Sequence, residues 1–157
     1  MVLILTGPVR SLKTTTLYHW AMNRQDCGGF LTPDEDGMRV IYNVEEKKSI
    51  PFQKIEKTSD EDVVIGRFVF DGEVFKIATI WLDDALADPA IQYIILDEVG
   101  PLELKGGGWD PWIRSSLKKI NTKTLILVVR HSLLNEVIHH YDLKDAQVEL
   151  TGYFLGL

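Results

Sequence analysis

Residues 2–14 read VLILTGPVRSLKT, and this stretch decides the fold. Its first four residues, Val2–Leu5, are all apolar, which is typical of a strand covered on both faces rather than half-exposed. A loop beginning at Gly7-Pro8 follows, and the segment from Lys13 to Arg24 then has helical apolar spacing without Gly or Pro. The chain is therefore predicted to open with a buried strand, a short loop and a helix.

The rest of the chain continues to alternate strands with helices. Buried strands are predicted at the apolar runs 91–96 and 125–129, and helices over 73–87, 110–120 and 132–141, with Asp110 as the N-cap of the second. We also expect a hairpin from Cys27–Leu31 and Met38–Val44, a surface strand or loop over 45–62, and strands over 63–70 and 148–150. This order predicts one three-layer α/β domain over residues 1–157, with a mainly parallel central sheet and a β-hairpin insertion.

Composition and charge exclude several classes of protein. The 157 residues are 45% hydrophobic and 25% charged, which is ordinary globular usage and excludes a disordered chain or a disulfide scaffold. The net charge is -6 and the basic residues are dispersed, so we expect no nucleic-acid partner. The apolar start is too short for a signal peptide, no run could cross a membrane, and Cys27 is the sole cysteine. We expect a soluble, cytoplasmic protein with no membrane partner.

The loop after the first strand matches a phosphate-binding template. Gly7, Lys13 and Thr14 fit the pattern G-x-x-x-x-G-K-[S/T], whereas Leu12 stands at its second glycine. In such a loop the backbone N–H groups face an anion, Lys13 reaches the β and γ phosphates and the Thr14 hydroxyl binds Mg²⁺. The alternative is a strand-to-helix turn that contains Lys-Thr by coincidence. The candidate nucleotide-binding residues are Gly7, Pro8, Val9, Arg10, Ser11, Leu12, Lys13, Thr14 and Thr15.

A second candidate element lies at Asp97-Glu98. These carboxylates end an apolar strand, and ligands collect at such strand ends in open α/β sheets. Asp97 there would hold Mg²⁺ through its hydration shell, and Glu98 could orient and deprotonate a water molecule. A solvated turn is the alternative, but its coincidence with a phosphate-binding loop makes a nucleotide site the better interpretation.

Three blocks of the sequence resemble the small P-loop nucleoside-triphosphatases, the family of the cancer-related nucleoside-triphosphatase and its thermophilic relatives. The blocks are Thr6-Gly7-Pro8 with Lys13-Thr14-Thr15, Gly28–Pro33 leading to Arg39-Val40, and Asp97–Leu104. The resemblance implies an α/β domain that binds nucleoside triphosphate with Mg²⁺ and hydrolyses it slowly with broad base tolerance. It also implies that the strand at 125–129 lies between the P-loop strand and the Asp97 strand. The chain departs from the family at Leu12 and after Val129.

Other residues could assist at this site. The family glycine has φ > 0, which costs a residue such as Leu12 roughly 1–2 kcal/mol. Arg130, which follows the third apolar run, could neutralise charge on the γ-phosphate in the manner of an arginine finger, or be a surface arginine, and Arg10 is a second candidate. Trp109 and Trp112 could stack on a base, form a partner contact or be buried anchors.

Two other functions remain open at this level. A small-molecule or nucleotide kinase would use Glu98 or a neighbour to position an acceptor hydroxyl, but the six arginines do not cluster in one lid-like insertion. A degenerate P-loop interaction module would account for Leu12, yet it leaves unexplained why Lys13, Thr14, Asp97 and Glu98 are all present. Hydrolysis of nucleoside triphosphate is the function that these residues favour.

Overall fold

The computed structural model describes residues 1–153, which contain eleven strands and five α-helices. The helices are α1 (Lys13–Ala21), α2 (Gly72–Ala87), α3 (Pro101–Leu104), α4 (Asp110–Ser116) and α5 (Leu134–His140). The strands are β1 (Val2–Gly7), β2 (Cys27–Leu31), β3 (Asp34–Glu35), β4 (Met38–Asn43), β5 (Lys48–Pro51), β6 (Gln53–Lys54), β7 (Val63–Ile65), β8 (Phe68–Phe70), β9 (Tyr93–Val99), β10 (Thr124–Arg130) and β11 (Gln147–Leu150).

The central sheet is mainly parallel, as predicted. Its strands follow the order β11-β1-β10-β9-β2-β4-β3, and β5 pairs with β4. The first five strands of this order run parallel, whereas β4 is antiparallel to β2 and forms the predicted hairpin. The strand of the third apolar run, β10, lies between β1 and β9, as the family resemblance implied. The carboxyl ends of β1, β9 and β10 therefore meet at one edge of the sheet.

Helices cover both faces of this sheet and make three layers. On one face, Leu17 and Ala21 of α1 pack in a buried cluster with alternate residues of β1, such as Leu3. On the other face, the remaining β1 residues, such as Ile4, belong to a larger cluster that includes α2, α4 and α5. Because both faces are covered, the central strands are apolar throughout, which is why their sequence predicts them so well.

Two local predictions were wrong. Residues 63–70 form two strands, β7 and β8, joined by a turn at Gly66, whose φ of 61° suits glycine. Together with β6 they make a small antiparallel sheet in the order β6-β8-β7. Asp110 is not an N-cap but the first residue of α4, and its buried carboxylate accepts hydrogen bonds from His140 and Tyr141 instead. Hydrogen bonds to these distant residues, rather than a capping interaction, hold the Asp110 side chain.

Cys27 is buried in β2, as expected of a small strand residue. Burial raises the pKa of its thiol to about 11, so the thiol is protonated near neutral pH. Within residues 1–153, no helix is long and apolar enough to cross a membrane.

Candidate active site

The loop between β1 and α1 has two residues in the left-handed conformation, including the strained position predicted at Leu12. Leu12 has φ 61° and ψ 31°, the left-handed conformation that glycine adopts at no cost, and Arg10 also has φ 61°. The Leu12 side chain is 65% exposed. Leucine therefore keeps the glycine conformation without being packed into the site.

Lys13 lies at the start of α1 and reaches back over the loop. Its Nζ donates hydrogen bonds to the carbonyl oxygens of Gly7 (3.2 Å) and Pro8 (2.7 Å) and to Ser11 Oγ (3.2 Å). Partial burial lowers the pKa of Lys13, and the charge of Asp97 acts against this shift. The ammonium group is thus held at the concave side of the loop by weak acceptors that an anion can replace.

A residue from the far end of the chain supports the loop. Thr151 Oγ1 donates to the Thr6 carbonyl (3.0 Å) and lies 3.4 Å from Ser11 Oγ. A Cβ atom at Gly7 would come within 2.6 Å of Thr151 Oγ1 and 2.5 Å of Ser11 Oγ, so these contacts require glycine there. Thr151 was not predicted as a site residue, because a lone threonine so far from the motif carries no local signal.

The structure brings the two predicted motifs into direct contact. Thr14 Oγ1 donates to Asp97 Oδ2 at 2.7 Å, and the same oxygen accepts from the backbone N–H (2.9 Å) and hydroxyl (3.2 Å) of Thr32. Asp97 is fully buried, and its burial, together with repulsion from Glu98, raises the pKa of Asp97 to about 6. Asp97 Oδ1 is buried and has no hydrogen-bond partner among the described residues. One carboxylate oxygen is therefore saturated and the other is left for a ligand.

A β-bulge separates Asp97 from its neighbour Glu98. Leu96 pairs with Leu127 and Val99 with Val129, so Asp97 and Glu98 together oppose the single residue between them on β10. Glu98 has φ 61°, an uncommon conformation for a non-glycine residue, and its side chain is 42% exposed. The bulge re-aims the end of β9, and Glu98 pairs with a different partner from that of Asp97.

That partner is Arg39 of β4, which no motif argument singled out as a site residue. Its Nη1 lies 2.6 Å from Glu98 Oε1, and its Nε donates to Asp34 Oδ1 at 2.9 Å. The backbone of Arg39 is fixed as well, because its N–H donates to Gln53 Oε1 and its carbonyl accepts from Phe52. In the sequence, Arg39 was marked only by its place in the second block of the family resemblance.

One cavity of about 770 Å³ is lined by the loop, the start of α1, the end of β9 and Arg39. Arg10, Arg39 and Arg130 all border it, although they come from three separate elements. The arginines therefore do not form one insertion, but three of them border the same cavity. Trp109 and Trp112 are both buried, as anchors would be, but Trp109 also lines the cavity.

The donor set of the cavity fits Mg²⁺ bound mainly by phosphate and water. Thr14 and Asp97 offer oxygen atoms, which Mg²⁺ prefers, and the unpartnered Asp97 Oδ1 is the acceptor that such an ion or its hydration shell would satisfy. Among the described residues no group of three or more His, Cys, Asp or Glu side chains could hold a metal. The oxygen atoms of Thr14 and Asp97 therefore suit an ion whose remaining ligands come from phosphate and water.

A glycine-started loop between a buried strand and a helix, joined to a carboxylate on a parallel strand two places away in the sheet, defines a P-loop nucleoside-triphosphatase domain. A model of the NTPase family matches residues 2–151, and the chain belongs to this family. The structure is similar to the crystal structure of THEP1 from the hyperthermophile Aquifex aeolicus, with a TM-score of 0.72 and 21% identity, covering 96% of this chain and 90% of that one. It is also similar to the solution structure of a human cancer-related nucleoside triphosphatase, with a TM-score of 0.69 and 20% identity, covering 93% and 86% of the two chains.

The sequence has no significant match among curated proteins. The two structural likenesses confirm the α/β fold with its mainly parallel sheet, and family membership supports nucleotide binding and hydrolysis. The roles assigned to Lys13, Thr14, Asp97, Glu98 and Arg130 stay predictions.

Proposed function

We propose that this protein is a Mg²⁺-dependent nucleoside-triphosphatase that releases nucleoside diphosphate and phosphate, with Glu98 activating the attacking water. The observation that carries the proposal is the 2.7 Å hydrogen bond from Thr14 to Asp97, which joins the phosphate-binding loop to the acidic strand end. The unpartnered Asp97 Oδ1 supports a cation at this junction.

Each residue has a defined part in the reaction. The loop amides and Lys13 bind the phosphates, and Thr14 with Asp97 would hold Mg²⁺, which when bound withdraws charge from the γ-phosphate. Glu98 accepts a proton from water as the water oxygen bonds to the γ-phosphorus and the bond to the bridging oxygen breaks. Arg130 and Arg39, both at the cavity, stabilise the charge that develops in the transition state.

The first experiment measures phosphate release from ATP, GTP, CTP and UTP with and without Mg²⁺. We expect release with all four nucleotides, because the family resemblance implies broad base tolerance, and loss of release when Mg²⁺ is chelated. No release with any nucleotide would reject hydrolysis and favour the degenerate P-loop module.

The second experiment separates binding from catalysis. Glu98→Gln should leave Mg²⁺-nucleotide binding nearly intact and lower turnover by roughly 10²–10⁴, the range for a lost general base. Asp97→Ala should weaken Mg²⁺-dependent binding as well, because it removes a metal contact. Glu136→Gln, an exposed change on α5, serves as the matched control. Wild-type turnover by Glu98→Gln would show that another group activates the water.

A further inference from the structure

The cavity extends beyond the groups that hydrolysis needs. Its other part, here called the aromatic end, is lined by Phe52, Ile65, Phe68, Phe70, Phe75 and Trp109. The rings pack against one another, with centroids 4.8 Å apart for Phe52 and Phe70 and 4.6 Å apart for Phe75 and Trp109. A mostly apolar wall with a few polar groups is typical of a site for a small organic molecule.

Arg39 and Glu98 stand between the aromatic end and the phosphate-binding loop. The N–H of Phe52 donates to the Arg39 carbonyl at 3.2 Å, the Arg39 guanidinium contacts Glu98, and Glu98 adjoins Asp97, which contacts Thr14. A γ-phosphate held at Glu98, as the proposed function requires, would lie in the same cavity as the aromatic end. A second molecule bound at the aromatic end would then lie beside the reacting phosphoryl group.

Two features of the aromatic end indicate that it receives a ligand. Ile65 and Phe68 pair across the β7–β8 hairpin, and they remain 40% and 41% exposed while lining the cavity. The indole N–H of Trp109 is buried and has no acceptor among the described residues, which is costly for a polar group. An aromatic ligand that carries an oxygen atom would cover Ile65 and Phe68, and its oxygen could accept a hydrogen bond from the indole N–H of Trp109.

The charges around the aromatic end disfavour an anionic ligand there. Of the cationic side chains that line it, Arg10, Lys13 and Arg130 belong to the loop and to the end of the adjacent strand β10. Arg39, the cation next to the aromatic end, is already paired with Glu98 and Asp34. A phosphorylated acceptor such as a nucleoside monophosphate would find no uncommitted cation there.

We propose that the aromatic end binds a neutral planar alcohol, which accepts the γ-phosphoryl group in competition with water. The proposal rests on the proposed function for its triphosphate site. The alcohol oxygen bonds to the γ-phosphorus, the bond from that phosphorus to the bridging oxygen breaks, and the nucleoside diphosphate leaves with the electron pair. The hydroxyl proton passes to the Glu98 carboxylate.

The experiment uses two probes, 2-naphthalenemethanol and its methyl ether, which has nearly the same shape but no hydroxyl group. Calorimetry measures binding of each probe, and phosphorus NMR follows ATP with Mg²⁺ in the presence of each. We expect both probes to bind and only the alcohol to yield an organic phosphate ester. Phe68→Ser should weaken the binding of both probes by about tenfold, because it removes part of the apolar wall. Ile80→Ser, at a residue 58% exposed on α2 that does not line the cavity, should bind both probes like the wild type.

The outcomes separate this proposal from the proposed function. ATP hydrolysis without binding of either probe supports the proposed nucleoside-triphosphatase function and overturns the aromatic-end site. Binding with hydrolysis but without the ester overturns the transfer step alone. Binding that is equal in Phe68→Ser and the wild type would place the probes elsewhere on the protein and overturn the site. If neither phosphate nor ester forms, the proposed function and the transfer step both fail.

Discussion

Arg39 and Glu98, from the hairpin insertion and from the end of β9, form an ion pair with 2.6 Å between Nη1 and Oε1. The pair ties the insertion to the strand that carries Asp97. Arg39 is half-buried and is also held by Asp34, so its guanidinium has little freedom to leave the cavity. An arginine fixed beside Glu98, the proposed general base, is well placed to meet the γ-phosphate.

We predict that Arg39→Ala lowers kcat by about 10²–10³ with KM changed by less than about threefold, because an arginine at a phosphoryl group acts mainly on the transition state. Arg39→Lys should restore only part of kcat, since an ammonium keeps the charge without the planar fork. Steady-state phosphate release measures both. Arg114→Ala removes an arginine paired with Asp110 outside the cavity and serves as the control. An unchanged kcat in Arg39→Ala would show that the ion pair has only a structural role.

Leu12→Gly should stabilise the fold rather than tighten nucleotide binding. Leu12 has φ 61° in the folded chain without nucleotide, so glycine should relieve about 1–2 kcal/mol of strain in the folded state. Glycine also makes the unfolded chain more flexible, which reduces this gain by about 0.4–1 kcal/mol. We expect a net gain between about zero and about 1.6 kcal/mol in urea unfolding, and a nucleotide affinity within about threefold of the wild type.

Lys47→Gly is the matched control for Leu12→Gly, because Lys47 is exposed with φ 57° in a turn away from the cavity. It should give a similar gain in stability. A tenfold change in affinity for Leu12→Gly alone would mean that the loop changes conformation when nucleotide binds.

Thr151→Val tests the support of the phosphate-binding loop from the C-terminal part of the chain. The change removes the hydrogen bond to the Thr6 carbonyl and should cost about 0.5–1.5 kcal/mol of stability. Because the loop then holds the phosphates less firmly, KM for ATP should rise by several-fold while kcat stays near the wild-type value. Thr79→Val removes an equivalent hydroxyl-to-carbonyl bond within α2 and should leave KM unchanged. Equal KM values in the two variants would contradict a supporting role for Thr151.

Asp62 organises the segment that leads to the small sheet and to α2. Its carboxylate is 1% exposed and accepts from Lys54 Nζ at 2.6 Å and from the N–H groups of Thr58, Ser59 and Gly72. The hydrogen bond from the Lys54 ammonium, aided by these N–H groups, holds the pKa of Asp62 well below its usual range.

The lowered pKa of Asp62 gives the sign of a pH effect. The charged carboxylate stabilises the fold fully above about pH 4, the value for an unfolded aspartate, and this contribution is lost as pH falls through the folded pKa. We predict that Asp62→Asn lowers Tm at pH 7 and that the gap to the wild type narrows below about pH 4. Thermal unfolding by circular dichroism between pH 7 and pH 3 measures the gap. Asp60→Asn, an exposed change nearby, should show no gap at any pH. A gap in Asp62→Asn that is constant with pH would show that the charge of Asp62 does not matter.

The sequence by itself determined the layered fold and the two halves of the candidate site. Continuous apolar runs such as Val2–Leu5 predict strands covered on both faces, because burial of both faces leaves no position for a polar residue. The spacing from Gly7 to Thr14 predicts the loop and even the left-handed backbone at Leu12, since both depend on neighbours within the same short segment.

Only the tertiary structure decided which distant residues complete the site. Sheet order and register bring Arg39 to Glu98 and Thr151 to the phosphate-binding loop, and both are long-range pairings that leave no periodic trace along the chain. The same holds for Asp110, whose carboxylate bonds to His140 and Tyr141 and which does not form the cap that its local sequence favoured. The spacing of apolar residues indicates which face of a helix or strand is buried. Which residues contact that face is determined by the packing of the whole domain.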